Sequence, residues 1–563
     1  MNLPSPAIVA ERGAQRLPRL ALLLFCAAYV LPGVFGRDPW RNADLSAFGF
    51  MSSLARGQST WMEPLLGGLR PDGGLLPYWV GALAIKLLPF LDPAQAARLP
   101  FGLLLVAVLA LVWYSSFHLA RTDAAQPVAF AFGGEAHAID YARALADGAL
   151  LALIGSLGLL RLGHETTPEL LQLLGAALFL YALAVVPFDP RKARLSVVLA
   201  LPIMAASGAP LVALALGLGG ALICRRSSYD SARQFTPWVL TASILALVCA
   251  LPTHGWAWRL TIDLDTDFPL RLASLLLWFG WPTWPLALWT LWRWRSYWAR
   301  RHVAVPLLSI AVPLCACVLM NCSDRALMLG LPALAVLASF ALPTLSRGVA
   351  AMLDWFSVFF FTGVALFAWL YYISMHSSLF PILLANVKKL AEGYQPRFTL
   401  LEFLPALLGS LAWLALVRWR TARHQHALWK SLVLPAGGVA LGWLLLMSLW
   451  LQPLDYARSN RPLVERLQAQ LPGPVDCIAA PQQALHLIAA LEVHGQWRVD
   501  ATSALSDTRC SIAVRQVSST TPIPVPEGWE LLSQVRRPTE QRIIYQLLQR
   551  SAQPASKVSR SDG

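Results

Sequence analysis

The chain has 563 residues, of which 56% are hydrophobic and only 13% charged, against about 25% charged in a soluble globular protein. Uncharged runs such as Val303–Met320 and Ala326–Leu345 are each long enough to cross a hydrocarbon core about 30 Å thick, and the alternating segments of about ten residues that a β-barrel needs are absent. The net charge of +14 is not a nucleic-acid signal. The basic residues sit in short clusters beside hydrophobic ends (Arg191–Lys192–Arg194, Arg225–Arg226, Arg293–Arg295–Arg300–Arg301, Arg418–Arg420–Arg423), as they do where Lys and Arg are retained on the cytoplasmic side of a membrane.

In chain order, Arg12, Arg16 and Arg19 precede the apolar run 20–35. No convincing small-residue cleavage site follows, so the run reads as a first membrane helix. Further spans are expected at 99–119, 142–162, 169–188, 195–207, 209–223, 235–252, 272–292, 303–320, 326–345, 349–374, 400–417 and 431–451. Residues 195–223 are either one long span or two short ones meeting at Ser207-Gly208-Ala209-Pro210. With two, and the N-terminus inside, every basic cluster falls on the cytoplasmic side, so the hairpin is favoured and about thirteen crossings result. A Gly-Ala-Pro break at membrane depth then requires that it face protein or a wet cavity. This topology leaves 36–98, 163–168, 253–271, 375–399, Asn321–Arg325 and everything after Leu451 outside. The polar stretch 121–138 reads as a cytoplasmic loop.

The first outside stretch, RNADLSAFGFMSSLARGQSTWMEP at Arg41–Pro64, is too polar for the bilayer yet has helical spacing. It reads as an amphipathic helix on the outer surface, its apolar residues toward lipid or the bundle. Beyond 453 the charged and polar fraction rises, and short apolar runs appear among Gly and Pro. Residues 1–452 are therefore read as the transmembrane domain, 453–550 as a small α/β domain and 551–563 as a disordered tail. Of eight Cys, Cys26, Cys224, Cys249, Cys315 and Cys317 lie in apolar segments as small hydrophobes, and Cys322 sits at a helix end. Cys477 and Cys510 lie in or beside strand-like runs of the C-terminal domain, and in an oxidising periplasm they are free to form a disulfide.

Three stretches, in this order and topology, resemble the GT-C integral-membrane glycosyltransferases, most closely the 4-amino-4-deoxy-L-arabinose lipid A transferases and their protein O-mannosyltransferase relatives. In the first, Asp44 is followed by AFGFMSSLARGQSTW. The second is GGLLPYWVGALAIKLL (Gly73–Leu88) followed by AARLP (Ala96–Pro100). The third is SDRALMLGLPALAVLAS (Ser323–Ser339); the C-terminal RRPTEQRIIYQLLQR also resembles the end of the family's external domain. Tyr78 and Trp79 match the second motif, but its Lys is absent, and Arg70 or Lys86 is left to replace it.

The resemblance implies an all-α polytopic membrane protein of GT-C type with a small C-terminal α/β periplasmic domain, in the bacterial inner membrane with the N-terminus cytoplasmic and the C-terminus periplasmic. It implies an inverting transferase that takes a sugar from a polyprenyl-phosphate carrier, such as undecaprenyl phosphate, to lipid A, another glycolipid or a protein. No further cofactor, metal or nucleic acid is expected. Asp44 takes the position of a catalytic base, and a helix N-cap is its alternative role. A second acid is expected outside. Local pattern points to Asp147 and topology to Glu165, with Thr166 or Thr167 capping the helix at Pro168. Arg325, with Arg41 or Arg70, is the candidate phosphate grip, because a guanidinium fork holds phosphate oxygens and stays charged. The alternatives are an Asp324–Arg325 ion pair and lipid anchoring for Arg41 and Arg70.

Trp61 and Trp79 are placed to stack on a sugar. His164 and His254 are external and expected at the surface, whereas His424 and His426 belong to a basic loop. Asp263, Asp265 and Asp267 come closest to metal spacing. A transporter or flippase of a lipid-linked sugar, or an inactive relative, remain the competing readings.

Overall fold

A computed structural model describes residues 5–40, 42–251, 265–377, 379–422, 427–481, 483–519, 524–537, 539–540 and 542–551. Arg41, His254, Asp263, His424, His426 and the tail beyond Ser551 lie outside the described residues. The chain is a helical bundle carrying a small sheet at its C-terminal end. Among the described residues six helices are individually long and apolar enough to cross a membrane: Pro93–Ala120, Pro168–Val185, Asp230–Ala250, Arg301–Leu319, Arg347–His376 and Leu400–Thr421. A seventh, Lys430–Leu446, bends by 70° into Leu451–Arg458.

Other expected spans are present as shorter or interrupted helices. The segment 142–162 breaks between Ala138–Ile154 and Leu157–Leu162, and 272–292 breaks between Phe268–Phe279 and Thr283–Arg293. The two breaks repair each other. Leu157 N–H donates to the Trp281 carbonyl at 3.2 Å. The Ser156 and Thr283 hydroxyls lie 2.6 Å apart, and Thr283 also bonds the Ala152 carbonyl at 3.1 Å. Backbone groups freed at membrane depth have no water to turn to, so an interruption survives only where protein satisfies it.

The expected hairpin is present. Helices Pro190–Ala206 and Pro210–Arg225 meet at a turn in which Gly208 has φ +95°, the left-handed region a glycine tolerates. The Ser207 carbonyl accepts from Gln172 Nε2 at 2.7 Å, and the loop carrying Gly73-Gly74 presses on the turn. A Cβ on Gly74 would lie 1.9 Å from the Ala206 carbonyl oxygen. Backbone on both sides leaves nothing flexible to yield, so Gly74→Ala is expected to destabilise by about 3 kcal/mol or more. Denaturant unfolding in detergent, followed by tryptophan fluorescence, measures this; an unchanged midpoint would mean the loop does not sit on the turn.

The stretch 121–138 is ordered by the N-terminus rather than standing alone. Val128 N–H bonds the Ala7 carbonyl, and Ala136 N–H bonds that of Val9.

The C-terminal sheet has β1 (Cys477–Ala479), β2 (Arg498–Asp500), β3 (Ile512–Ser518), β4 (Trp529–Val535) and β5 (Ile543–Arg550) in the order β2-β1-β3-β5-β4. β1 runs parallel to β2 and β3, and β5 is antiparallel to β3 and β4. Cys477 and Cys510 are disulfide-bonded, with Cα atoms 5.2 Å apart. Helix Leu485–His494 crosses between β1 and β2 and packs on helix Asn42–Ala55 so closely that a Cβ on Gly49 would meet Ala489 Cβ at 2.9 Å.

Helix Asn42–Ala55 therefore does not lie on lipid with one wet face. Ten of its residues, including Asp44, Ser52 and Ser53, are buried, because helix Leu76–Leu87 covers one side and the C-terminal unit another.

Candidate active site

Where the first helix unwinds, Gly33–Trp40 leads into helix Asn42–Ala55. Asp44, in that helix's first turn, is 1% exposed. Its carboxylate does not cap its own helix. Oδ1 accepts from the Thr166 backbone N–H at 2.7 Å and from the Thr166 hydroxyl at 2.6 Å. Oδ2 accepts no hydrogen bond among the described residues and lies 3.8 Å from Arg37 Nη1.

Arg37 is held by donating to the Gly33 carbonyl at 2.7 Å and the His164 carbonyl at 2.5 Å, and its guanidinium sits 5.0 Å from the Trp40 ring centroid. Arg98, from the first turns of the next long helix, is buried and donates to the Arg37 carbonyl at 2.6 Å. Burial alone would push the Asp44 carboxyl up. The Arg37 and Arg98 guanidiniums and the two bonds from Thr166 outweigh it and hold the group below the ordinary carboxylate range. Asp44 is an anion with one oxygen committed and one left over.

Beside it stands a second cluster. Glu165, 4% exposed, pairs with Arg325 at 2.5 Å. The other guanidinium nitrogen donates to Thr167 Oγ1 at 3.0 Å and Glu169 Oε2 at 3.1 Å. Burial lowers the Arg325 pKa, but the Glu169 and Glu165 carboxylates reverse this and hold it above its usual value. Thr167 occupies the N-cap position of helix Pro168–Val185; its hydroxyl serves Arg325 instead of the helix. Arg325 comes from the short helix Asp324–Met328, reached through Asn321 and Cys322 at φ 51° and 63°. Asp324 faces Arg161 at 3.6 Å, and the alternative pair with its neighbour Arg325 is not formed.

The C-terminal unit seals this region. Arg461 grips Asp38 through both oxygens at 2.7 and 2.9 Å, and Ser459 bonds the same carboxylate at 2.7 Å. Asp455 accepts from the Asp38 N–H at 2.8 Å. Three residues upstream of Arg41, the chain is thus clamped to the end of the bundle. Burial raises the Asp38 carboxyl, but Arg461 and Ser459 prevail and hold it low.

Several expected site residues stand elsewhere. Asp147 does not join the cluster. Its oxygens are taken by the Leu17 N–H and the Trp113 indole, each at 2.8 Å. Leu17 precedes the first helix and Asp44 follows it, so the two acids sit toward opposite ends of the bundle. Arg70 pairs with Glu63, both half-exposed. Tyr78 is buried with its ring 5.2 Å from Phe50. The Trp79 indole donates to the Trp61 carbonyl at 2.6 Å, and Lys86 Nζ lies 5.2 Å from the Trp61 ring centroid. These three form a group of their own.

His164 is partly covered rather than open at the surface. It lies between Tyr29 and Trp443, and loss of solvent there lowers its pKa to about 4. Asp265 pairs with Arg271 at 2.9 Å, and no group of three or more metal-ligating side chains occurs among the described residues. Arg37, Arg98 and Glu169 were not among the expected site residues, and Thr166 was expected only as a helix cap. Arg98 lies within the AARLP motif, but Arg37 carries no local signal.

No family model and no curated protein matches the sequence. The fold does match. ArnT from Cupriavidus metallidurans in the apo state superposes with a TM-score of 0.58 over 94% of this chain and 97% of its own, at 14% identity. The same protein bound to undecaprenyl phosphate gives 0.55, 15% identity and coverage of 94% and 96%. This chain has a GT-C-like fold. The GT-C-like bundle and its C-terminal α/β unit agree with the fold class expected above; among the described residues six helices, or seven with the bent pair, are individually long enough to span, and other expected spans are shorter or broken helices.

Proposed function

We propose that the chain is an inverting glycosyltransferase that moves a sugar from a polyprenyl-phosphate carrier to an envelope acceptor, lipid or protein, at the periplasmic face of a bacterial inner membrane. The carrying observation is the buried Asp44 carboxylate, with one oxygen unbonded, set beside Arg37 and next to the Glu165–Arg325 cluster in a GT-C-like fold. A solved protein of this fold binds undecaprenyl phosphate, which supports the choice of carrier. The bundle would then be the membrane domain, and the unit after 453 a periplasmic cover.

The acceptor hydroxyl attacks the sugar's anomeric carbon as the bond to the carrier phosphate breaks. The new bond is acceptor oxygen to carbon, the leaving group is the carrier phosphate, and the proton needs a base. Asp44 Oδ2 orients the hydroxyl in the ground state. Arg37 and Arg98 keep the carboxylate weakly basic, so it takes the proton late, when the attacking oxygen has turned acidic. Charge on the departing phosphate is met by Arg325, which exchanges a carboxylate contact for a phosphate one. An already fixed guanidinium needs little reorganisation for that.

A strain lacking the chain is expected to lose a sugar mass from one envelope glycolipid or protein, restored by wild type and not by Asp44→Asn. Unchanged masses throughout the envelope would sink this reading.

A further inference from the structure

At the end of the bundle opposite Asp44, the last turn of helix Pro210–Arg225, the loop 226–229, the segment 122–124 and the residues around the start of helix Arg301–Leu319 line a cavity of about 790 Å³. Its wall brings together Arg226, Arg300, Arg301, Ser227, Ser228 and Tyr229. Three guanidiniums share this one space with one carboxylate, that of Asp123, which accepts from the Tyr229 hydroxyl at 3.1 Å.

Arg301 is 6% exposed and donates to Ser227 Oγ at 3.3 Å and to the Leu183 carbonyl. Neither Arg226 nor Arg301 has a carboxylate partner among the described residues. Retaining Lys and Arg on one side of a membrane requires only that they be near the surface. It does not require burying one or gathering three round a hydroxyl-lined pocket.

We propose that this cavity binds a phosphoryl anion, as the phosphodiester of a lipid head group. Hydroxyls and guanidinium forks together are the donors a phosphate diester needs. The cavity's apolar edge at Leu222 continues along the same helix to Leu218, and both are exposed (49% and 61%) where acyl chains would run. The proposal stands on the membrane reading of the helices and is independent of the transferase reading.

The test is lipid retention by the full-length protein. Wild type is moved from detergent into phosphatidylcholine vesicles with or without phosphatidylglycerol, re-extracted, and its bound lipid weighed by native mass spectrometry. Wild type should retain phosphatidylglycerol. R226Q/R300Q should retain it about thirtyfold less avidly, from roughly two interfacial charges, with an unchanged melting temperature. R191Q/R194Q, removing the same charge from the same face outside the cavity, should behave as wild type.

A parallel titration with inorganic phosphate separates the sources. Phosphate binding that is lost in R226Q/R300Q, without lipid retention, keeps the phosphoryl site but makes its ligand soluble. Equal losses in both double variants, or no phosphoryl ligand bound at all, overturn the proposal.

Discussion

Asp44→Asn is expected to lower sugar transfer by about 10²- to 10⁴-fold, the contribution of a positioned general base. The substitution keeps an oxygen to accept from Thr166 but removes the charge that Arg37 and Arg98 face. It also places an amide N–H₂ toward a guanidinium. Stranding buried cations costs about 3–5 kcal/mol, so activity must be measured on folded protein. Asp44→Glu separates the effects: it keeps the charge and recovers most of the stability, but displaces the carboxylate by a methylene and stays slow.

The pH dependence follows from the direction of the shift. A carboxyl held below its unfolded value contributes stability that is fully present above the unfolded pKa of about 4 and is lost as pH falls through the folded one. Neither stability nor rate should therefore show an Asp44 step between about pH 5 and 8. A wild-type rate step in that window, abolished by Asp44→Asn, would mean that the carboxylate is not held by the two arginines.

Arg325→Gln is expected to destabilise by about 3–5 kcal/mol and to abolish transfer. Glu165 and Glu169 are both held by this one guanidinium, and without it the loop carboxylate of Glu165 and the first-turn carboxylate of Glu169 repel. Glu165→Gln alone should also destabilise. The double variant should recover about 1–3 kcal/mol relative to the sum of the singles, the coupling of groups in one network. Equilibrium unfolding in detergent for all four proteins measures it. Strict additivity would show that the Arg325–Glu165 contact carries no weight. The double variant should remain inactive even where stability returns, since the phosphate-facing cation is still absent.

The hairpin was legible because charge is a long-range signal. Arg225–Arg226 and the later basic clusters favoured a turn near Ser207–Pro210, and the same count pointed to Glu165 rather than Asp147 as the outer acid. The structure has that hairpin, and it sets Glu165 against Arg325. What sequence did not disclose was created by packing between distant segments. Arg37 from an unwound helix end, Arg98 from the next long helix and Thr166 from a third segment meet at Asp44, and none has a periodicity that points to the others. Helix Asn42–Ala55 read as amphipathic because Ser52 and Ser53 are polar; helix Leu485–His494, more than four hundred residues later, helps enclose it. The breaks at Gly155–Ser156 and Gly280–Pro282 escaped notice for the same reason. Each reads as a continuous apolar run, and only the other break supplies its missing partners.

The most direct measurement uses purified wild type in liposomes with a radiolabelled sugar on polyprenyl phosphate and an envelope lipid and protein extract as acceptor. Label is expected to leave the carrier and become covalently attached to an acceptor, with free polyprenyl phosphate released in equal amount and Asp44→Asn inert. Recovery of the label still on its carrier, merely redistributed between leaflets, would contradict it.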